Sequence, residues 1–206
     1  MGVDIVAWVF FARSPRYVTS AQVWEMQRVL PPNISRHGVF VDTPPPLIQR
    51  VVDQLSLDAA QLFGAESRQD VEGILPHAYK GVTAANAQDC EAAGRAFAAR
   101  RGRRGEPGLL IHLASLEGLA WRELDAIARR VPLVVGIPSV DERIIHRLVH
   151  RVHPWAIDVW EAVETKPGRL DPARLADVVA AIRAADDGGS ADSRPAAGGL
   201  PPRAVR

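Results

Sequence analysis

The residues able to do chemistry lie mostly where apolar runs end. Arg16 stands in Ala12-Arg13-Ser14-Pro15-Arg16-Tyr17-Val18, just beyond the run Val6-Ala7-Trp8-Val9-Phe10-Phe11. Short, aromatic and β-branched, that run predicts a buried strand, which must stop before Pro15 because proline has no N–H for a ladder. A guanidinium where a strand hands over to a loop is placed to hold an anionic ligand or, equally, to pair with a surface carboxylate. Glu161 and Glu164 follow a second apolar run, Ala156 to Trp160, and could form an acid/base pair. His146, His150 and His153 recur at helical spacing, and an i, i+4 histidine pair can bind a metal. Arg143, Arg147 and Arg151 crowd the same stretch and oppose a bound cation, so a solvated basic helix is the simpler reading. Asp186-Asp187 read as a helix end beside a flexible tail rather than as metal ligands.

The 206 residues are 47% hydrophobic, enough to bury one core, and the formal net charge is +1. Nothing in that balance calls for nucleic acid or an acidic membrane surface. Arg100-Arg101-Gly102-Arg103-Arg104 is a local basic cluster without interleaved aromatic residues, as expected of a solvated connection. One cysteine, Cys90, excludes an internal disulfide and suits a reducing, cytoplasmic setting. It falls in an Ala-rich stretch that reads as an outer helix, where it acts as a small filler. No apolar run reaches the length of a membrane span.

Periodicity predicts a regular alternation. Strands are expected at Val6–Phe11, Arg36–Val41, Ala59–Gly64, Ala78–Thr83, Gly108–Leu113, Leu133–Ile137 and Ala156–Trp160. Helices are expected at Ser20–Val29, Pro46–Leu55, Arg68–Leu75, Asn86–Ala99, Trp121–Arg130, Val140–Val152 and Pro172–Ala185. Strand-helix alternation with short connections implies parallel strands and right-handed crossovers, hence a doubly wound sheet or a barrel. Seven strands are counted, and a complete (β/α)₈ barrel has eight. Residues 1–185 therefore form the expected barrel domain, and 186–206, rich in Gly, Ser, Ala and Pro, the expected disordered tail.

Phe10 to Val18 resembles the segment after the second strand of phosphoribosylanthranilate isomerases, an apolar strand ending in Phe and then Ser-Pro-Arg-Tyr-Val. The resemblance extends along the chain. Gly2-Val3-Asp4 is similar to the Gly-Ala-Asp before the family's second strand, and Gly38-Val39-Phe40-Val41 to its third. Gln61-Leu62-Phe63-Gly64 is similar to its Gln-Leu-His-Gly, with Phe63 for histidine. Trp121 stands at the Trp of Phe-Asp-Trp, and Asp158-Val159, Val163-Glu164, Pro167-Gly168 and Asp171-Pro172 follow the closing segment at matching spacing. This implies a TIM (β/α)₈-type barrel lacking its first strand-helix unit, related to an Amadori aldose-ketose isomerase of tryptophan biosynthesis that needs no cofactor or metal. Either Met1 is an internal start within a longer gene, or the protein is truly short.

Departures from the pattern fall where the chemistry should be. The first strand, whose Lys-Ile-Cys-Gly motif carries the general base, has no counterpart. His112 in Leu110-Ile111-His112 takes the place of the acid, an aspartate. Ile137-Pro138 replace the paired glycines after strand seven, and Trp160-Glu161-Ala162 the Ser-Ser-Gly after strand eight. Glycine-rich turns there cradle phosphate in many barrels, whereas Pro138 has no N–H to offer and Glu161 brings a like charge. By resemblance, Arg16 contacts the carboxylate of an anthranilate group and His112 stands at the acid's position. An isomerase-like protein with little or no activity is the expectation. The alternatives are a non-catalytic binding or scaffold protein for an aromatic acid or phosphosugar, and an enzyme with altered substrate using His112 and Glu161. An open barrel edge would favour self-association.

Overall fold

A computed structural model of the chain describes residues 2–98, 106–187 and 203–205. Seven parallel strands follow in chain order: β1 (Ile5–Val9), β2 (Ser35–Phe40), β3 (Ala59–Leu62), β4 (Ala78–Ala84), β5 (Leu109–Leu113), β6 (Leu133–Gly136) and β7 (Ala156–Asp158). Helices α1 (Ser20–Gln27), α2 (Pro45–Leu55), α3 (Arg68–Glu72), α4 (Ala87–Phe97), α5 (Trp121–Ala128), α6 (Glu142–Arg147) and α7 (Pro172–Asp187) separate and follow them. Local chemistry fixes several helix starts. Thr19 and Gln22 form a capping box at α1, Ser67 and Asp70 at α3, and Asn86 and Asp141 accept N–H groups at the heads of α4 and α6. The helix expected to run on to Val152 changes to a wider π turn over Leu148–Val152. A small antiparallel pair, β8 (Glu164–Lys166) and β9 (Arg169–Leu170), lies between β7 and α7, where the sequence predicted no element.

The sheet is a closed circuit, and this corrects the expectation of a barrel open where a first strand is missing. Residues Arg203–Val205 form a parallel strand, β10, between β1 and β7. Three register pairs join it to β7, from Arg203↔Ala156 to Val205↔Asp158, but one pair, Ile5↔Val205, joins it to β1. A short extended segment settles there because the two edges offer unpaired backbone groups on both sides. Of the tail expected at 186–206, residues 186–187 end α7 and 203–205 are this strand; 188–202 lie outside the described residues, as does the basic cluster at 100–104.

Alternation along the strands sorts side chains to two sides. Ile5, Ala59, Tyr79, Leu110, Val134 and Ala156 make an inner layer within the barrel. A larger cluster, including Ile111, Leu124, Val135, Ile145, Ile157 and Val178, packs the strands against the helices. Two strand glycines admit rings that no other residue would. A Cβ on Gly81 would meet the Phe63 ring at 2.4 Å, and one on Gly136 would meet His112 Cδ2 at 2.6 Å. No helix among the described residues is long and apolar enough to cross a membrane.

Candidate functional site

The loops after the strands' C-terminal ends bring Arg16, His112, Trp160, Glu161 and Glu164 together, although they are far apart in sequence. Arg16 follows β1, His112 lies in β5, and the other three follow β7. Arg16 donates from Nε to both oxygens of Glu164 at 2.9 Å, and from Nη2 to Oε2 at 2.6 Å. The Glu164 side chain is only 8% exposed and also accepts the Gly168 N–H at 2.8 Å. The Arg16 guanidinium stacks over Trp160, 4.0 Å from the ring centroid. Such a planar, fully forked cation is held by shape as well as charge. The two sequence readings of Arg16 are thus partly resolved: it has a carboxylate partner, and that partner is at the barrel mouth.

His112 lies between Gly136 and the edge of the Trp160 ring, with ring centroids 5.8 Å apart and an interplanar angle of 63°. Its Nε2 is buried, has no hydrogen-bond partner, and stands 3.7 Å from Oε2 of Glu161. Burial holds the imidazole below its usual pKa; the Glu161 carboxylate pushes it up and the Arg16 guanidinium down again. The other Glu161 oxygen lies 3.9 Å from Arg16 Nη2, so a single half-exposed carboxylate faces both groups without hydrogen-bonding to either. Ile137 is fully buried and gives its N–H to the Asp158 carbonyl at 2.9 Å, which leaves that backbone group committed to the barrel.

Beneath the mouth is a polar layer that sequence reasoning missed. Tyr79 donates its hydroxyl to Gln61 Oε1 at 3.1 Å and lies 3.0 Å from His37 Nδ1, while Ser35 Oγ is 3.1 Å from His37 Nε2. Since the tyrosine proton goes to Gln61, the consistent tautomer puts the histidine proton on Nδ1, and Ser35 donates to Nε2. Asp158 points into the same interior and accepts the Trp160 N–H at 3.3 Å. Burial pushes its carboxyl up to about 7, with backbone N–H groups opposing and Glu161 adding to the rise. Burial, and then the Asp158 charge, raise Tyr79 well above the usual phenol value. The signal was present in the sequence as polar residues at inward parity on three neighbouring strands, but only register places them side by side: Gln61 pairs with Tyr79 and Val39 with Gln61.

The remaining candidates lie elsewhere. Cys90 is buried on α4, its thiol pushed up to about 11 by burial and then by Glu123 and Asp89. His146 and His150 contact one another on the barrel's outer side, ring centroids 4.1 Å apart. Arg147 and Arg151 lie over Trp121 at 4.5 and 5.9 Å, so the basic helix uses its cations on an aromatic face. No group of three or more potential metal ligands occurs among the described residues. A buried pair, Lys80 with Glu66 at 2.7 Å, supports the loop after β3 from outside the barrel. Glu66 there also accepts the N–H groups of Asp42 and Gly64, and Lys80 donates to the Gly64 carbonyl.

Parallel strands in a closed circuit, helices outside and a charged, aromatic mouth define a (β/α)₈-type barrel. No family model matches the chain. The N-(5'-phosphoribosyl)anthranilate isomerase of Herminiimonas arsenicoxydans is 31% identical over 206 residues, covering 90% of this chain and 86% of the relative. The crystal structure of phosphoribosyl anthranilate isomerase from Thermotoga maritima is similar with a TM-score of 0.68 at 27% identity, covering 90% and 88% of the two chains. A phosphoribosyl anthranilate isomerase in complex with reduced 1-(o-carboxyphenylamino)-1-deoxyribulose 5-phosphate gives a TM-score of 0.66 at 28% identity, again over 90% and 88%. The chain belongs to the N-(5'-phosphoribosyl)anthranilate isomerase family.

Proposed function

We propose that this chain is an isomerase-type barrel of the Amadori class, of tryptophan-biosynthetic descent, whose mouth in its present form sustains little or no turnover. The observation that supports it is the chain of contacts Glu164–Arg16–Trp160 and Glu161–His112, in which the groups able to grip an anion or exchange a proton engage or face one another. An aldose-ketose rearrangement needs an acid at the ring oxygen and a base at carbon 2, on opposite sides of the substrate. His112 and Glu161 lie 3.7 Å apart on one side, and the Cys90 thiol is on an outer helix. Phosphate capture is weakened separately. Pro138 has no N–H, and the Glu161 carboxylate repels a dianion.

The deciding experiment is a direct assay of purified protein with N-(5'-phosphoribosyl)anthranilate. No turnover above background is expected, and turnover abolished by His112→Ala would overturn the proposal. A second reading, a binding protein that retains an aromatic-acid subsite without a phosphate subsite, is favoured by the stacking of Arg16 on Trp160. Calorimetric titration separates the two: affinity for anthranilate and none for ribose 5-phosphate favours binding, whereas affinity for the phosphate favours an enzyme. A third, catalysis on another substrate, would use the His112–Glu161 pair.

A further inference from the structure

We propose that Glu161 is a displaceable gate over a carboxylate-accepting site built from the guanidinium of Arg16 and Nε2 of His112, and that it decides which ligands enter. The inference rests on the retained aromatic-acid subsite of the binding reading, and adds to it a second ligand-holding atom and a residue that controls access. Two observations carry it independently of the family. Nε2 of His112 is a buried polar atom without a partner, in a side chain only 8% exposed, and it is aimed at the mouth. Burying such a group unpaired is costly, so an oxygen placed beside it is strongly favoured. Arg16 spends its Nε and one Nη2 hydrogen on Glu164, which leaves its other edge turned toward Glu161.

Glu161 holds one oxygen 3.9 Å from Arg16 Nη2 and the other 3.7 Å from His112 Nε2. Both distances exceed hydrogen-bond reach, so this carboxylate covers the two groups without satisfying them. It sits in a short 3₁₀ turn at Glu161–Val163, with a side chain 38% exposed, and can rotate into solvent without disturbing the core. A ligand carboxylate replacing it would accept from Arg16 and from the Nε2–H tautomer of His112, with Trp160 forming the flat wall beside it. The ligand class is therefore a planar monocarboxylate. A phosphate dianion, with twice the charge of a carboxylate, is repelled more strongly by Glu161 on entry and is discriminated against.

The test uses the full chain, its Glu161→Gln and Glu161→Ala variants, and anthranilate and 2-aminobenzamide as probes in calorimetric titration. Removing the competing charge should tighten anthranilate binding about tenfold or more in both variants, given the strength of like-charge repulsion at this range near a protein surface. The neutral amide should bind all three proteins alike. Equal or weaker anthranilate binding by both variants, with the wild type still binding it, would overturn the gate and leave the aromatic-acid reading standing. A parallel gain for the amide would also overturn it, because the effect would then be steric rather than electrostatic. If no protein binds anthranilate at millimolar concentration, the aromatic-acid reading fails and the gate fails with it.

Discussion

Asp158→Asn isolates the cost of a carboxyl group enclosed by the barrel. In the folded chain burial raises this group from 3.8 to about 7, while in the unfolded chain it titrates as an ordinary aspartate. The folded state therefore holds the proton more tightly. Stability from this group is fully present at low pH and is lost as pH rises through about 7. Between about pH 5 and about pH 8 the folded protein must release a proton that the unfolded chain has already lost, which costs about 2–3 kcal/mol. Asparagine is neutral throughout, and its side-chain oxygen can still accept the Trp160 N–H that Asp158 accepts at 3.3 Å. Urea unfolding of both proteins across that range provides the measurement, because every other titrating group is common to the pair and drops out of the difference. The stability of the wild type relative to the Asn variant should fall by about 2–3 kcal/mol from the acid to the alkaline end. A difference that stays constant with pH would refute the placement of Asp158 as a desolvated interior acid.

Lys80→Met should destabilise by about 3–5 kcal/mol in urea or thermal unfolding, because it strands the buried Glu66 carboxylate. Adding Glu66→Gln should restore part of that loss, and no recovery would show that Lys80 acts by packing alone. Cys90, with its thiol raised from 9.0 to about 11, should carry about a hundredfold less thiolate near neutrality than an ordinary cysteine. Its reaction with an aromatic disulfide reagent should accordingly be slow in the native protein and fast in denaturant. Prompt native reactivity would contradict its buried position.

Residue pattern alone determined a good deal. Alternating short apolar runs and amphipathic stretches specify the seven ordered strands and their helices, because a buried strand and a one-faced helix leave different periods in the chain. Pro15 fixes where the first strand must stop, and the colinear motifs around Arg16, Gln61 and Asp158 identify the barrel. Tertiary structure decided what those residues do. The pairing of Arg16 with Glu164 spans 148 positions, and no local spacing encodes it. His112 is a candidate acid in sequence, but only its burial at the barrel mouth, and then Glu161 and Arg16, set its titration, and only the packing there leaves Nε2 unpaired. Residues 203–205 have no strand signature, yet they complete the circuit, because what recruits them is the hydrogen-bonding edge of β1 and β7 rather than any property of their own. Periodicity is a property of neighbours along the chain; charge, burial and edge pairing depend on neighbours in space.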